Sequence, residues 1–168
     1  MTSSEWFESL WVENADLVYL YAARRVGPDF APDIVGETFT VAWSRGSHVP
    51  SPALPWLYGV ARNVIGRHRR TETRYFRLIE RAAHNPAPDA IPMEMKVIER
   101  DIWERALRAL DETDREALLL VAWEGLSPAE AAVVMGYSAG AFRVRLSRAR
   151  RRLRRQLEQT QTDSGVSR

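Results

Sequence analysis

Leu126-Ser127-Pro128-Ala129-Glu130-Ala131-Ala132-Val133-Val134-Met135-Gly136-Tyr137-Ser138-Ala139-Gly140-Ala141-Phe142-Arg143-Val144-Arg145-Leu146-Ser147-Arg148-Ala149-Arg150 carries the pattern that decides the fold. Ser127 with Glu130 three residues later is a capping box, in which each side chain takes a backbone amide of the first helical turn. Pro128 at the helix start loses nothing by lacking an N–H. The short helix ends near Met135, Gly136-Tyr137-Ser138 forms a tight turn, and Ser138 caps a long helix to about Leu157. Ala129, Ala131 and Ala132 are small enough for the two helices to pack closely. A short capped helix, a turn of about three or four residues with Gly, and an Arg-rich helix have the spacing of a helix-turn-helix.

At the helical period, Phe142, Leu146, Ala149 and Leu153 of the long helix fall in one narrow arc and are predicted to face the core. The opposite face carries Gly140, Val144, Ser147, Arg148, Arg151 and Arg155, with Arg143 at its flank. The N-terminal part of this helix is expected in the major groove. There Arg143 and Arg148 are candidates for guanine or phosphate, and Val144 for a thymine methyl. Arg151, Arg152, Arg154 and Arg155 fit phosphate positioning or plain solvation better than base reading. A basic amphipathic helix also suits an anionic membrane surface, but the capped partner helix and the small apolar stripe argue against it.

Upstream, the spacing predicts a helix over 98–110. Another opens at a second capping box, Thr113-Asp114-Arg115-Glu116, and stops at Gly125. Further back, Ala82-Ala83-His84-Asn85-Pro86-Ala87-Pro88-Asp89-Ala90-Ile91-Pro92 is unfavourable to helix and reads as a linker. In the first module Phe7, Leu10, Trp11, Val18, Tyr21 and Ala22 share a helical stripe that Gly27-Pro28 ends. A second helix is expected over 33–44, with Val35, Phe39 and Ala42 inward, followed by a loop over 45–52. A third starts near Pro55, turns Leu57, Val60, Ala61 and Val64 inward, and ends in Arg67-His68-Arg69-Arg70. No alternating strand pattern of useful length occurs, so the expected fold class is all-α. The expected boundaries are a first helical domain 1–81, a Pro-rich linker 82–95, a helix-turn-helix domain 96–158 and a frayed, disordered tail 159–168.

The 168 residues include 24 Lys or Arg and 22 Asp or Glu, a net charge of +2. That small net hides an alternation: −5 over 1–37, +6 over 38–81, −6 over 82–142 and +7 over 143–168. Two acid-then-base modules in series point to one polyanion touched at two places. Of the bases 23 are Arg and only Lys96 is Lys. Codon bias of a GC-rich genome is the plainest reading of that choice, so the placement of the Arg residues is the informative part. The chain has no Cys, which excludes disulfides, thiolate zinc sites and Cys nucleophiles. His48, His68 and His84 are isolated and cannot form a His-based metal cluster. No apolar run spans a bilayer and the N-terminus is no signal peptide, so a soluble intracellular chain without cofactor or metal is expected. With no Gly-rich phosphate loop, metal-ligand spacing or nucleophile–base pair standing out, an enzyme is the least expected class.

Trp56, Tyr58, Arg62, Asn63, Arg67, Arg69 and Arg70 mix aromatics with bases on one helix. That mixture suits unpaired nucleotides, which stack on aromatic rings while cations track the backbone. Trp and Tyr are equally ordinary as core residues with a polar tip.

Asp33-Ile34-Val35-Gly36-Glu37-Thr38-Phe39-Thr40-Val41-Ala42-Trp43 resembles region 2.2 of bacterial sigma factors. Pro55-Trp56-Leu57-Tyr58-Gly59-Val60-Ala61-Arg62-Asn63-Val64-Ile65 resembles regions 2.3–2.4 of the extracytoplasmic-function group. The quoted stretches at 126–132 and 140–150 resemble region 4.2, and the resemblance covers roughly residues 6–157. It implies a promoter-recognition subunit that binds core RNA polymerase, recognises −10 and −35 elements and helps to open DNA. By this match Asp33, Ile34, Val35, Glu37 and Phe39 are candidates for docking on the polymerase clamp helices, with Phe39 and Trp43 as readily core residues. The loop 46–52 and Asn63 would hold a base flipped from the −10 element, and Arg62, Arg67, Arg69 and Arg70 the nearby backbone. Gly140, Arg143, Val144, Ser147, Arg148 and Arg151 are the candidates for the −35 element, in a module that also contacts the polymerase flap. The resemblance further implies a cytoplasmic, nucleoid-associated protein, monomeric when free, off the membrane and controlled by a separate anti-sigma protein. Gly36 stands where the family has Gln, Ala141-Phe142 replaces Thr-Val, and Val144 replaces a polar residue, so the family's −35 preference does not transfer. The readings from other classes are a stand-alone dimeric helix-turn-helix regulator of palindromic sites and a protein-interaction adaptor.

Overall fold

Apolar residues at helical intervals leave each helix one face to bury, and the chain meets that demand in two separate places. In a computed structural model, which describes residues 3–79 and 97–165 and the side chains of 3–70 and 102–160, the chain divides into units Met1–Pro88 and Asp89–Arg168. The described residues form seven α-helices and no strand. The expected linker 82–95 lies outside the described residues.

The first unit packs three helices pairwise, α1 (Ser3–Val26), α2 (Ala31–Arg45) and α3 (Leu54–Ile79). Helix α1 buries Leu10, Val18, Tyr21 and Ala22, together with Asn14, whose side-chain amide donates to the Leu10 carbonyl at 2.9 Å. Gly27, at φ +86°, ends α1 in a conformation that resists a side chain. Helix α2 lies against both neighbours and buries Ala31, Ile34, Val35, Thr38, Phe39 and Ala42. A single 3-10 turn, Gly46–His48, leads towards α3. Helix α3 buries Leu57, Ala61 and Val64 as expected, while Tyr58 and Ile65 join the core and Val60 is only half-buried. It does not end at the basic cluster but continues to Ile79. Arg is a good helix former, and no Gly or Pro interrupts 67–79.

The second unit contains α4 (Val97–Arg108), α5 (Glu112–Ala122), α6 (Pro128–Met135) and α7 (Ala139–Gly165), with α7 packed against the other three. Helix α5 is capped by Asp111, whose side chain accepts from the Asp114 amide at 2.8 Å, and not by Thr113. Asp111 precedes the first turn by the spacing that a short carboxylate needs to reach an N3 amide, which leaves Thr113 inside the helix. Arg115 closes the end of α4, donating to the carbonyls of Leu107 (2.8 Å), Leu110 (2.9 Å) and Arg108 (3.2 Å). These are carbonyls that a helix terminus leaves without partners. Helix α7 passes the expected end at Leu157, and the backbone of the expected tail is helical as far as Gly165. Gln and Glu propagate a helix without needing an apolar face.

Candidate nucleic-acid interface

Two caps and one closure fix α6 and α7 as a pair. Ser127 Oγ accepts from the Glu130 amide at 3.3 Å, and Glu130 Oε2 accepts from the Ser127 amide at 2.8 Å. The bond from the Ser127 backbone, then the one with its hydroxyl, holds the Glu130 carboxyl below its ordinary value. At the other end Gly136 takes the left-handed conformation, φ +70°. Its N–H bonds to the Val133 carbonyl at 3.2 Å, and that of Tyr137 to the Ala132 carbonyl at 2.9 Å, a Schellman closure. Ser138 Oγ then accepts from the Ala141 amide at 3.2 Å and starts α7.

On α7 the inward residues are the expected ones: Phe142, Leu146 and Ala149 are buried and Leu153 is half-buried. Gly140, Arg143, Val144, Ser147, Arg148 and Arg151 are all exposed. Val144 is 52% exposed, an apolar side chain in the middle of a basic face.

Sequence reasoning missed the polar group behind that face. Asp114 on α5 is 1% exposed. It accepts from Arg145 at 2.9 Å and makes a short contact with Arg152, which also reaches Asp111 at 3.3 Å. Arg152, expected at phosphate or in solvent, is therefore tied to α5. The signal was present in the spacing: Asp114 precedes the buried Ala117 and Leu118 by three and four residues, so it shares their inward stripe.

The first unit separates its candidates into surface and core. Asp33 and Glu37 are exposed, whereas Ile34, Val35 and Phe39 are buried at 0%, 6% and 1% exposure. The three apolar candidates are core residues rather than surface contacts, because α2 is packed on both sides and its apolar stripe is used within the unit. Asn63, Arg67 and Arg70 are exposed and Arg62 is half-buried. Arg69 is half-buried and donates to the Arg25 carbonyl at 2.9 Å. Arg25 in turn lies 3.5 Å above the Tyr21 ring, which stacks on Tyr58 at 4.7 Å. Tyr58 thus takes the core role of the two open to it, and Trp56 is half-buried. Glu37 joins α2 to the basic segment of α3 through His68 Nε2 at 2.6 Å and Arg67 at 3.4 Å. The aromatic residues expected on the stripes of α1 and α2 meet one another: Phe7 meets Trp43 edge-on at 4.9 Å, and Trp11 lies 4.6 Å from Phe39, with Trp11 and Trp43 partly exposed.

Among the described residues no group of His, Asp or Glu could hold a metal ion, and no helix is long and apolar enough to cross a membrane. The ECF RNA polymerase sigma factor SigL of Mycobacterium tuberculosis is 30% identical over 157 residues, which cover 90% of this chain and 88% of SigL. The chain belongs to the ECF RNA polymerase sigma factors. As a sigma factor it functions in transcription initiation. The family model described as Sigma-70, region 4, matches residues 100–153 of the sigma factor, from within α4 to within α7. The probable RNA polymerase sigma factor RfaY of Xanthomonas campestris pv. campestris is 35% identical over 135 residues, 76% of this sigma factor but 34% of RfaY. Among solved structures, sigma factor RpoE in complex with the anti-sigma factor NepR, from Bartonella quintana, shares the fold. Its TM-score is 0.69 at 24% identity, covering 96% of this chain and 98% of that one. CnrH in complex with the cytosolic domain of CnrY gives a TM-score of 0.58 at 26% identity, covering 90% and 87%.

Proposed function

We propose that this sigma factor binds core RNA polymerase and promoter DNA through both helical units, with α7 reading the −35 element and α3 serving the −10 element. The observation that carries the reading is the exposed row Gly140, Arg143, Val144, Ser147, Arg148 and Arg151 on the second helix of a doubly capped helix-turn-helix. Arg143 and Arg148 engage guanine edges or phosphate, and Val144 packs against a thymine methyl. In the first unit, Asn63 and the 46–52 loop receive a base turned out of the −10 element. Unstacking costs a few kcal/mol that contacts in the pocket offset. Arg62, Arg67 and Arg70 hold the adjacent backbone, and Arg69 supports them from its bond to α1. Asp33 and Glu37 dock on the polymerase clamp, and the second unit meets the flap.

The protein carries no catalytic residues of its own, is monomeric when free and works in the cytoplasm. Each unit alone binds DNA weakly, and polymerase makes the two contacts intramolecular, so effective concentration supplies the affinity. Control comes from a separate anti-sigma protein. CnrH, which resembles this chain over most of its length, was solved bound to the cytosolic domain of CnrY and supports that reading.

The test is run-off transcription with purified core polymerase on a promoter library. Initiation from a defined class of start sites, together with poor binding of promoter duplex by the free chain, is the expected result. Tight, sequence-specific binding of the free chain as a dimer to palindromic sites would favour the stand-alone regulator instead.

A further inference from the structure

Arg145, Arg148 and Arg152 sit three and then four residues apart, so they form one row along α7. Their circumstances differ. Arg145 and Arg152 both bind Asp114, and Arg152 also binds Asp111, so two guanidiniums meet two carboxylates and their charges cancel. Arg148, between them, is exposed and has no ion-pair partner among the described residues. Asp114 is buried, which makes its hold on the two arginines hard for water or salt to displace.

We propose that Asp114 is a positioning residue for promoter reading, holding Arg145 and Arg152 against α5 and leaving Arg148 as the arginine of that row that engages DNA. The proposal rests on the −35 reading of α7. A helix dense in arginine grips any polyanion, because each neutralised phosphate releases a counterion whatever the sequence. Two internal carboxylates lower that indiscriminate grip without shortening the helix. They also tie α7, and with it Arg148 and Val144 one turn before it on the exposed face, to α5. The ratio of specific to non-specific binding rises as a result.

The experiment measures the affinity of purified holoenzyme for a promoter duplex, and for a duplex with a scrambled −35 element, across a salt series. Each phosphate contact contributes about 0.9 to the slope of log affinity against log salt, or roughly a 3-fold loss over a fourfold rise in salt. Arg148→Gln is expected to make the slope shallower by about 0.9. Arg145→Gln and Arg152→Gln each leave one guanidinium on Asp114, so the fold survives, and both are expected to keep the wild-type slope. Asp114→Asn is expected to steepen the slope by about 0.9 to 1.8 as one or both arginines are released, and to narrow the preference for the intact −35 element. A merely structural Asp114 would reduce the active fraction without moving the slope. Equal shallowing by all three Gln variants overturns the proposal, as does an unchanged slope in folded Asp114→Asn. Failure of the underlying reading looks different: the wild-type holoenzyme itself then shows no preference for the intact −35 element.

Discussion

Arg145 of α7 and Asp114 of α5 are joined by a 2.9 Å hydrogen bond that ties the second helix of the helix-turn-helix to a helix outside that pair. The carboxylate is buried while the guanidinium is about one-third exposed. Removing one partner of a buried ion pair costs about 3–5 kcal/mol. Here the arginines left behind can turn to water, so the cost is lower. Asp114→Ala is expected to destabilise the second unit by about 2 kcal/mol, read as a lower urea midpoint at unchanged slope.

Phe39 and Asp33 lie on the same helix, yet one is buried and the other exposed. Phe39→Ala is expected to cost about 3–5 kcal/mol of stability in the isolated protein, through lost burial and the cavity left behind. Asp33→Ala is expected to leave the unfolding midpoint in place and to weaken association with core polymerase. Thermal unfolding beside a polymerase pull-down separates the two effects, and a pull-down in which Asp33→Ala binds like wild type counts against the docking assignment.

Glu130 is expected to make the capping of α6 sensitive to acid. Its carboxyl is held below its ordinary value in the folded protein by the Ser127 amide and then the Ser127 hydroxyl. A depressed folded value means that the stabilisation is present above the unfolded value of about 4.5 and is lost as pH falls through the folded one. Glu130→Gln is therefore expected to flatten the fall in urea midpoint below about pH 5 while leaving the slope at higher pH unchanged. Ser127→Ala is expected to cost about 1 kcal/mol at neutral pH. A Glu130→Gln profile that parallels the wild type down to acid pH would refute the assignment.

Gly136 turns the chain between α6 and α7 at φ +70°, and a Cβ added there meets nothing within 4 Å. Gly136→Ala therefore incurs backbone strain alone, about 1–2 kcal/mol. Calorimetry of the variant reads that loss as a lower Tm, and an unchanged Tm would show that the turn relaxes freely.

Much of this was legible in the chain because it is local. The Ser127–Glu130 capping box, the glycine turn and the stripe of Phe142, Leu146 and Ala149 each depend on residues within a turn or two of one another. The ends of α3 and α7 were placed too early, because charged and polar composition marks solvent exposure and not the end of a helix. On α2 the helical period put Val35, Phe39 and Ala42 inward while the resemblance offered Ile34, Val35 and Phe39 for docking; packing against both α1 and α3 uses those side chains inside the unit. Burial depends on what approaches a helix from outside its own sequence.

The order of residues alone determined that the chain is helical, where α6 turns into α7, and which face of α7 is apolar, because periodicity and capping act over a few residues. Only the tertiary structure decided which charged side chains are spent on holding the fold. Arg145, Arg152 and Arg69 look like Arg148 and Arg70 in sequence. They differ because Asp114 and the carbonyl of Arg25 reach them across 31, 38 and 44 residues, and a charged side chain is engaged by what stands beside it in space.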